Sequence, residues 1–453
     1  MTPRKLHVSQ ALLKEGVKSG VTIAIGDDGR IAEVTIDDGQ GAERVGGLAL
    51  PGMANVHSHA HQRAIAGLTE RSGADDDSFW TWRDAMYRFA LKMNPDEFQA
   101  IATQAYIEMA KAGYTAVGEF HYLHHQSDGS PYADPAEMGL RCLAAAEASG
   151  LAITLLPTLY MQGGFGGVPP QPGQRRFINA LDSFHTLLAA LPPPQGRKIH
   201  GISLHSLRAV PIAAIRQVLA EVTAGPVHLH IAEQTREVED CLAATGRRPL
   251  ELLLDLVELT SRWCLIHATH LTFTETSTLA RSAATVGLCP ITEANLGDGI
   301  FAARDHCRGG GAIAIGSDSN VEITVAGELR MLEYSQRLQH RARNVLAGGP
   351  HRSTGRTLYE AASSGGATAL AQPMGALAVG NAADIVILDL DHPALIGRQG
   401  EAIIDSFIFS GGNAAVRDVF VSGRQIVFEG HHIDETAARD RFRRAISSLA
   451  GRE

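Results

Sequence analysis

Residues Leu48–His61 read L-A-L-P-G-M-A-N-V-H-S-H-A-H: an apolar run, a Pro-Gly break, and a second short run ending in His57-x-His59. In an extended strand, side chains two apart face the same way. The two imidazoles can therefore share one metal ion, because a neutral ring nitrogen is a common ligand for zinc and its neighbours. An H-x-H pair also arises without any site, so its meaning depends on what the rest of the chain supplies.

Downstream, the pattern repeats as short apolar runs separated by longer helical stretches, the rhythm of a parallel βα sheet or barrel. Seven further runs follow the first: Thr115–Phe120, Ala152–Leu156, Ile199–Leu204, Val227–His230, Cys264–His267, Thr285–Cys289 and Ala312–Gly316. Between them, Asp96–Ala112 and Pro249–Leu259 read as helices. Eight such repeats predict an α/β fold, a (β/α)8 TIM-like barrel with insertions. An open doubly wound sheet is the rival, but no G-x-G-x-x-G opens a helix after the first run.

Upstream and at the far end the character changes. Val21–Ile25 and Ile31–Val34 flank a D-D-G turn, a hairpin signal. Ile385–Leu388 and Val416–Val427 carry the same alternating style. The chain ends, 1–50 and 376–453, are expected to pair into a small β-sandwich domain, leaving 51–375 for the barrel. Met161–Gln174, M-Q-G-G-F-G-G-V-P-P-Q-P-G-Q, is too rich in Gly and Pro for regular structure. It reads as a solvated loop or as a cover over a pocket at the barrel mouth.

Composition bounds the setting. The 453 residues are 45% hydrophobic and 20% charged, which suits a globular chain with a substantial core. A net charge of -9 argues against nucleic acid or an anionic membrane as the main partner. The start, M-T-P-R-K-L-H-V-S-Q, lacks an apolar h-region, and no run approaches a membrane span. The five cysteines are scattered with no C-x-x-C pair, as expected of reduced thiols in the cytoplasm.

Reactive side chains gather where the apolar runs end. His57 and His59 end the first, His230 the fifth with Glu233 three residues on, His267 the sixth, and Asp318 follows the eighth in G-S-D-S-N. Barrel enzymes build their sites from the C-terminal ends of several strands. Singly, each residue has a structural alternative: a hydrogen-bonded histidine, or an aspartate capping a turn. Together, three histidines, a carboxylate and nearby acid/base groups suit one zinc-like cation. Spacing alone leaves His228 beside His230, and His270 beside His267, as alternatives.

The segments P-G-M-A-N-V-H-S-H, H-L-H-I-A-E, the His267 stretch and G-S-D-S-N resemble the amidohydrolase superfamily, along essentially the whole chain. The resemblance implies a metal-dependent hydrolase on a (β/α)8 barrel with a flanking β-sandwich, and H-x-x-E implies the deaminase-like branch. It assigns His57, His59, His230 and Asp318 as metal ligands. It gives Glu233, His267 and Asp318 the catalytic work, with Asp318 taking the proton of water and Glu233 protonating the leaving nitrogen. Binuclear relatives bridge two metals with a lysine on strand four. None of the six lysines lies within 199–210, and Lys198 sits at the wrong end, so one divalent cation, zinc, is expected.

Substrate choice depends on residues beside the metal. Arg208 and His205 lie in S-L-H-S-L-R-A-V, Tyr122 in G-E-F-H-Y-L-H-H, Arg83 in F-W-T-W-R-D, and Gln62 follows H-S-H-A-H. A guanidinium fork suits a carboxylate, and Tyr or Gln can complete the clamp. The alternative for each arginine is a surface ion pair. These segments resemble the deiminases of the superfamily, which implies Arg208, Tyr122, His205, Arg83 and Gln62 as substrate contacts. The implied reaction converts N-formimidoyl-L-glutamate to N-formyl-L-glutamate and ammonia in histidine degradation, by a homodimer. An aminohydrolase acting on a purine, pyrimidine or nucleoside ring is the alternative activity. A non-catalytic scaffold is the alternative of another kind, and it should purify without metal.

Overall fold

The structure is a computed structural model and describes residues 4–71, 79–349 and 352–452. Eight parallel strands carry the apolar runs: β1 Met53–Ser58, β2 Tyr114–His121, β3 Ala152–Leu159, β4 Ile202–Ser206, β5 Val227–Ile231, β6 Trp263–His267, β7 Thr285–Leu288 and β8 Ala312–Ile315. They pair in sequence order, and a three-residue segment, Lys198–His200, adds to β3. Almost every residue of these strands is buried. Strands covered by helices on one face and by the barrel interior on the other read as continuous apolar runs, which is why the sequence pattern located them.

The eight expected runs correspond to these strands, with shifted ends. The fourth run is broken: Lys198–His200 pairs with β3, and the ladder to β5 starts only at Ile202. At the break stands Gly201, where a Cβ would lie 2.5 Å from the Pro226 carbonyl oxygen. The helix expected over 96–112 spans Pro95–Lys111, started by a capping box between Asn94 and Glu97. The helix expected over 249–259 ends at Leu256.

Between β8 and β1 the barrel closes through one bridge, Ser58 to Asp318. The Asp318 amide donates to the His57 carbonyl at 2.9 Å, and the His59 amide donates to the Asp318 carbonyl at 2.9 Å. This seam needs Gly316, because a Cβ there would stand 2.8 Å from the His57 Cβ. The backbone that shuts the barrel is thus the backbone of three residues singled out above.

The chain ends form a separate eight-stranded sheet. Its hydrogen-bonded order is His431–His432, Arg424–Phe428, Val416–Val421, Ile385–Leu388, Glu43–Pro51, Arg4–Leu13, Gly16–Ile25 and Ile31–Ile36. The D-D-G turn joins Gly16–Ile25 to Ile31–Ile36 as an antiparallel pair, with Gly29 at φ 75°. In the middle, Glu43–Pro51 runs parallel to Arg4–Leu13 and antiparallel to Ile385–Leu388. Leu6, Val8, Ile23, Ala49, Ile385 and Phe420 share its core. Arg197, just before the Lys198–His200 segment, ties the barrel to this sheet through a two-oxygen contact with buried Asp384 at 2.6 and 2.7 Å.

A helix over Glu435–Ala450, which the sequence pattern did not predict, lies against Pro95–Lys111. Lys111 and His431 hydrogen-bond Glu435 and hold its carboxyl down at about 2, against an ordinary 4.5. A depressed carboxyl contributes stability above its unfolded pKa, and that contribution is lost as pH falls through the folded value. The denaturation midpoint of Glu435→Gln is therefore expected to vary less than wild type between pH 4.5 and about 2, as read by urea melts. Equal pH slopes in the two proteins would show that the contact does not stabilise the fold. No helix among the described residues is long and apolar enough to cross a membrane.

Candidate active site

At the C-terminal mouth of the barrel the strand-end side chains converge. The Nε2 atoms of His57 and His230 face each other at 3.0 Å. Asp318 Oδ1 lies 3.4 Å from both His57 Nε2 and His59 Nε2. Behind the rings, His59 Nδ1 donates to the Phe120 carbonyl and His230 Nδ1 to the His205 carbonyl, each at 2.9 Å. With Nδ1 carrying the proton, a neutral ring presents its Nε2 lone pair inward. Burial pushes His57 down to about 3 and also lowers His59 and His230, so all three rings are neutral, the form that ligates metal. His57 Nδ1 has no partner among the described residues, so the 3.0 Å contact between His57 and His230 can be closed by one N–H···N hydrogen bond or by a cation that takes both lone pairs. His57, His59 and His230 form one group of possible ligands and His57, His267 and Asp318 another, and with Asp318 also beside His59 the three histidines and Asp318 fit one divalent cation as an N3O donor set.

Glu233 and His267 flank this cluster. His267 Nε2 stands 3.9 Å from Glu233 Oε1 and 3.8 Å from Asp318 Oδ2, while Nδ1 meets Glu293 Oε1 at 3.2 Å. Burial lowers the His267 pKa, but the surrounding Glu233, Glu293 and Asp318 carboxylates outweigh it and raise the ring to about 10. Burial raises the Glu233 carboxyl, His267 opposes that, and Asp318 adds to it, so Glu233 holds its proton at higher pH than an ordinary glutamate. Asp318 goes the other way: burial is overcome by His57 and the other imidazoles, and it stays ionised.

The backbone here is strained. His267 (φ 69°), Asp318 (φ 45°) and Ala232 (φ 50°) occupy the left-handed region, which costs a non-glycine residue roughly 1–3 kcal/mol. Glu237 steadies the Ala232 turn by accepting the Ala232 and Glu233 amides at 3.1 and 3.0 Å.

A narrow cavity, with about 50 Å3 of room, opens above the cluster. Gln62, Arg83, Tyr122, His205 and Arg208, all five of the expected contacts, line it. Gln62 Nε2 donates to the Tyr122 hydroxyl at 2.8 Å. The Arg83 guanidinium stacks 4.7 Å from the Trp80 ring and 5.3 Å from that of Tyr87. Arg208 makes no ion pair and no side-chain hydrogen bond among the described residues. A half-buried guanidinium with Glu237 and Glu233 only at longer range, and no close ion pair, suits an incoming carboxylate.

The two spacing ambiguities separate cleanly. His228 Nε2 bonds the Ala369 carbonyl at 2.9 Å and His270 Nε2 the Asp298 carbonyl at 2.8 Å, so neither joins the converging rings. Other participants went unnoticed in the sequence. Glu293 follows the end of β7 in C-P-I-T-E, the strand-end signal used elsewhere. Glu119 Oε1 accepts the Ala60 amide at 2.7 Å and so fixes the turn after His59. Tyr87, Tyr160 and Phe177 wall the cavity. The segment 161–174 stands beside the site, with Gln162 Nε2 donating to the Arg208 carbonyl at 3.2 Å.

Residues 48–426 match the model of the amidohydrolase family. The chain belongs to that family. Among amidohydrolase relatives, formimidoylglutamate deiminase of Pseudomonas aeruginosa is 51% identical over 98% of this chain and 99% of its own length. A 5-methylthioadenosine/S-adenosylhomocysteine deaminase of Halobacterium salinarum is 26% identical over 96% of this chain and 93% of its own. The crystal structure of an amidohydrolase from Brucella melitensis superposes with a TM-score of 0.93 at 46% identity, covering 99% of this chain and all of that one. An adenosine deaminase from Xanthomonas campestris, solved with bound zinc, shares the amidohydrolase fold at a TM-score of 0.80 and 21% identity, over 99% of both chains.

Proposed function

We propose that this amidohydrolase deiminates N-formimidoyl-L-glutamate, giving N-formyl-L-glutamate and ammonia. One observation carries the reading above the others: 51% identity along nearly the full length of a formimidoylglutamate deiminase. The cavity chemistry supports it independently, because two guanidiniums over a cluster of neutral imidazoles suit a linear dicarboxylate bearing a C=N carbon.

His57, His59, His230 and Asp318 would hold the cation, with zinc matching the N3O donors. When bound, it supplies Lewis acidity that brings the pKa of water towards ~7. Water adds to the C=N carbon, and Asp318, ionised and facing the cluster, accepts its proton. Glu233 keeps its own proton by burial and delivers it to the imino nitrogen. The proton held by Asp318 then moves to the amino nitrogen, the C–N bond breaks as ammonia leaves, and the hydroxyl proton returns to Glu233, leaving the carbon as a formyl group. His267, held by Glu293, sits opposite to polarise the reacting carbon's substituents. Arg208 and Arg83 bind the carboxylates, and Tyr122, Gln62 and His205 complete the clamp. Residues 51–375 form the catalytic unit in this reading, with 1–50 and 376–453 as its flanking β domain. Its setting is histidine degradation in the cytoplasm, as a homodimer.

Ammonia release by metal-loaded protein from N-formimidoyl-L-glutamate, set against guanine and adenosine, tests the proposal. Absence of turnover of the first would end it. A neutral ring leaves both guanidiniums without a partner, so ring substrates are expected to be poor. Arg208→Ala removes a charge-assisted contact worth ~1.5–3 kcal/mol, so kcat/KM should fall roughly 10- to 150-fold, chiefly through KM. An unchanged kcat/KM would take Arg208 out of the site.

A further inference from the structure

Three guanidiniums surround one indole at the rim of the barrel. The Cζ atoms of Arg83, Arg236 and Arg208 lie 4.7, 4.9 and 6.0 Å from the Trp80 ring. Each gains from the π face, but like charges this close also repel one another, and an anion relieves that repulsion. Their carboxylate neighbours are few and weak. Asp84 is 3.5 Å from Arg83 and Asp240 is 3.7 Å from Arg236, both largely exposed to water, while Arg208 has no close ion pair among the described residues and feels Glu237 and Glu233 only at longer range.

These side chains stand at a junction. An outer cavity, lined by Trp80, Arg236 and the Gly163, Gly164, Phe165 part of the Gly/Pro segment, shares Arg83 and Arg208 with the inner cavity. Arg236 and Trp80 belong to the outer one alone. A dicarboxylate moving inward therefore meets Arg236 first, then the two arginines common to both chambers.

We propose that the Trp80–Arg236 chamber is a second, outer binding site for small dicarboxylates, which captures the anion and passes it to Arg83 and Arg208. The inference rests on the dicarboxylate reading of the inner site. It adds Arg236 and Trp80 as residues that set the association rate, and it gives the Gly/Pro segment a place as the chamber wall.

Stopped-flow tryptophan fluorescence with glutarate, a dicarboxylate that cannot react, tests it on metal-loaded protein. Arg236→Gln should slow association about 3- to 10-fold at low ionic strength, and the gap should close near about 0.5 M salt, where the Debye length falls to a few Å. Arg236→Lys should recover most of the rate, and Asp240→Asn should exceed wild type. A wild-type rate in Arg236→Gln at low salt overturns the proposal. So does an equal deficit at low and high salt, which would mark a packing role for Arg236, and so does absence of glutarate binding to wild type. Turnover of N-formimidoyl-L-glutamate by wild type is measured in parallel. Its failure with glutarate binding intact rejects the assigned reaction, while the rates still judge the outer site.

Discussion

Glu233→Gln is expected to keep its cation and lose turnover by ~10^2–10^4-fold, the range typical of a lost general acid. The amide matches the carboxyl in size and accepts from nothing that positions the converging rings, so the cluster of His57, His59, His230 and Asp318 should survive. What the variant lacks is a transferable proton. The native carboxyl is raised by burial and so is still protonated where an ordinary glutamate is not. In wild type, kcat/KM should therefore decline as pH rises through that raised value, and the variant should lack this alkaline limb. Metal content measured beside kcat separates the roles: a variant that loses its cation would make Glu233 a ligand.

The second large effect is expected from His230→Ala. His230 Nε2 faces that of His57, and its Nδ1 is fixed by the His205 carbonyl, so removing it takes away one of three inward lone pairs. The variant should purify with well under one equivalent of divalent cation and turn over near background. A stability readout distinguishes this from misfolding. A cation bound only by the folded chain stabilises it by about 4 kcal/mol at 1,000 times Kd. A chelator should thus lower the unfolding temperature of wild type and leave that of His230→Ala unmoved. Full cation content in His230→Ala would exclude His230 as a ligand.

Much of this was legible because burial writes itself into strand sequences. The barrel strands are covered on both faces, so each appears as an apolar run, and polar residues at their ends stand out. That contrast drew attention to the strand ends with His57, His59 and Asp318, while the choice of His230 over His228, of His267 over His270, and of Arg83 and Arg208 rested on the family resemblance. Other parts left no such mark. The Phe120 and His205 carbonyls that orient two rings are backbone atoms, which any residue supplies. The break at Gly201 comes from the approach of Pro226 in a neighbouring strand's lead-in, a tertiary fact. Trp80 gathers arginines from positions 83, 208 and 236, whose proximity exists only once the barrel is closed. The helix Glu435–Ala450 was overlooked although Ala438, Phe442, Ala445, Ile446 and Leu449 recur at helical spacing and the last four pack on the core.

The sheet built from both chain ends has a consequence for biosynthesis. Glu43–Pro51 emerges early from the ribosome, yet its antiparallel neighbour Ile385–Leu388 is translated more than 330 residues later. At ~5–20 residues per second, that interval is on the order of tens of seconds. Throughout it, the nascent amino-terminal half carries an open edge of backbone donors and acceptors, the kind of surface that recruits other chains. Ribosome-stalled chains ending before Ile385 should therefore be sticky and chaperone-dependent, and those extended past Phe428 should not.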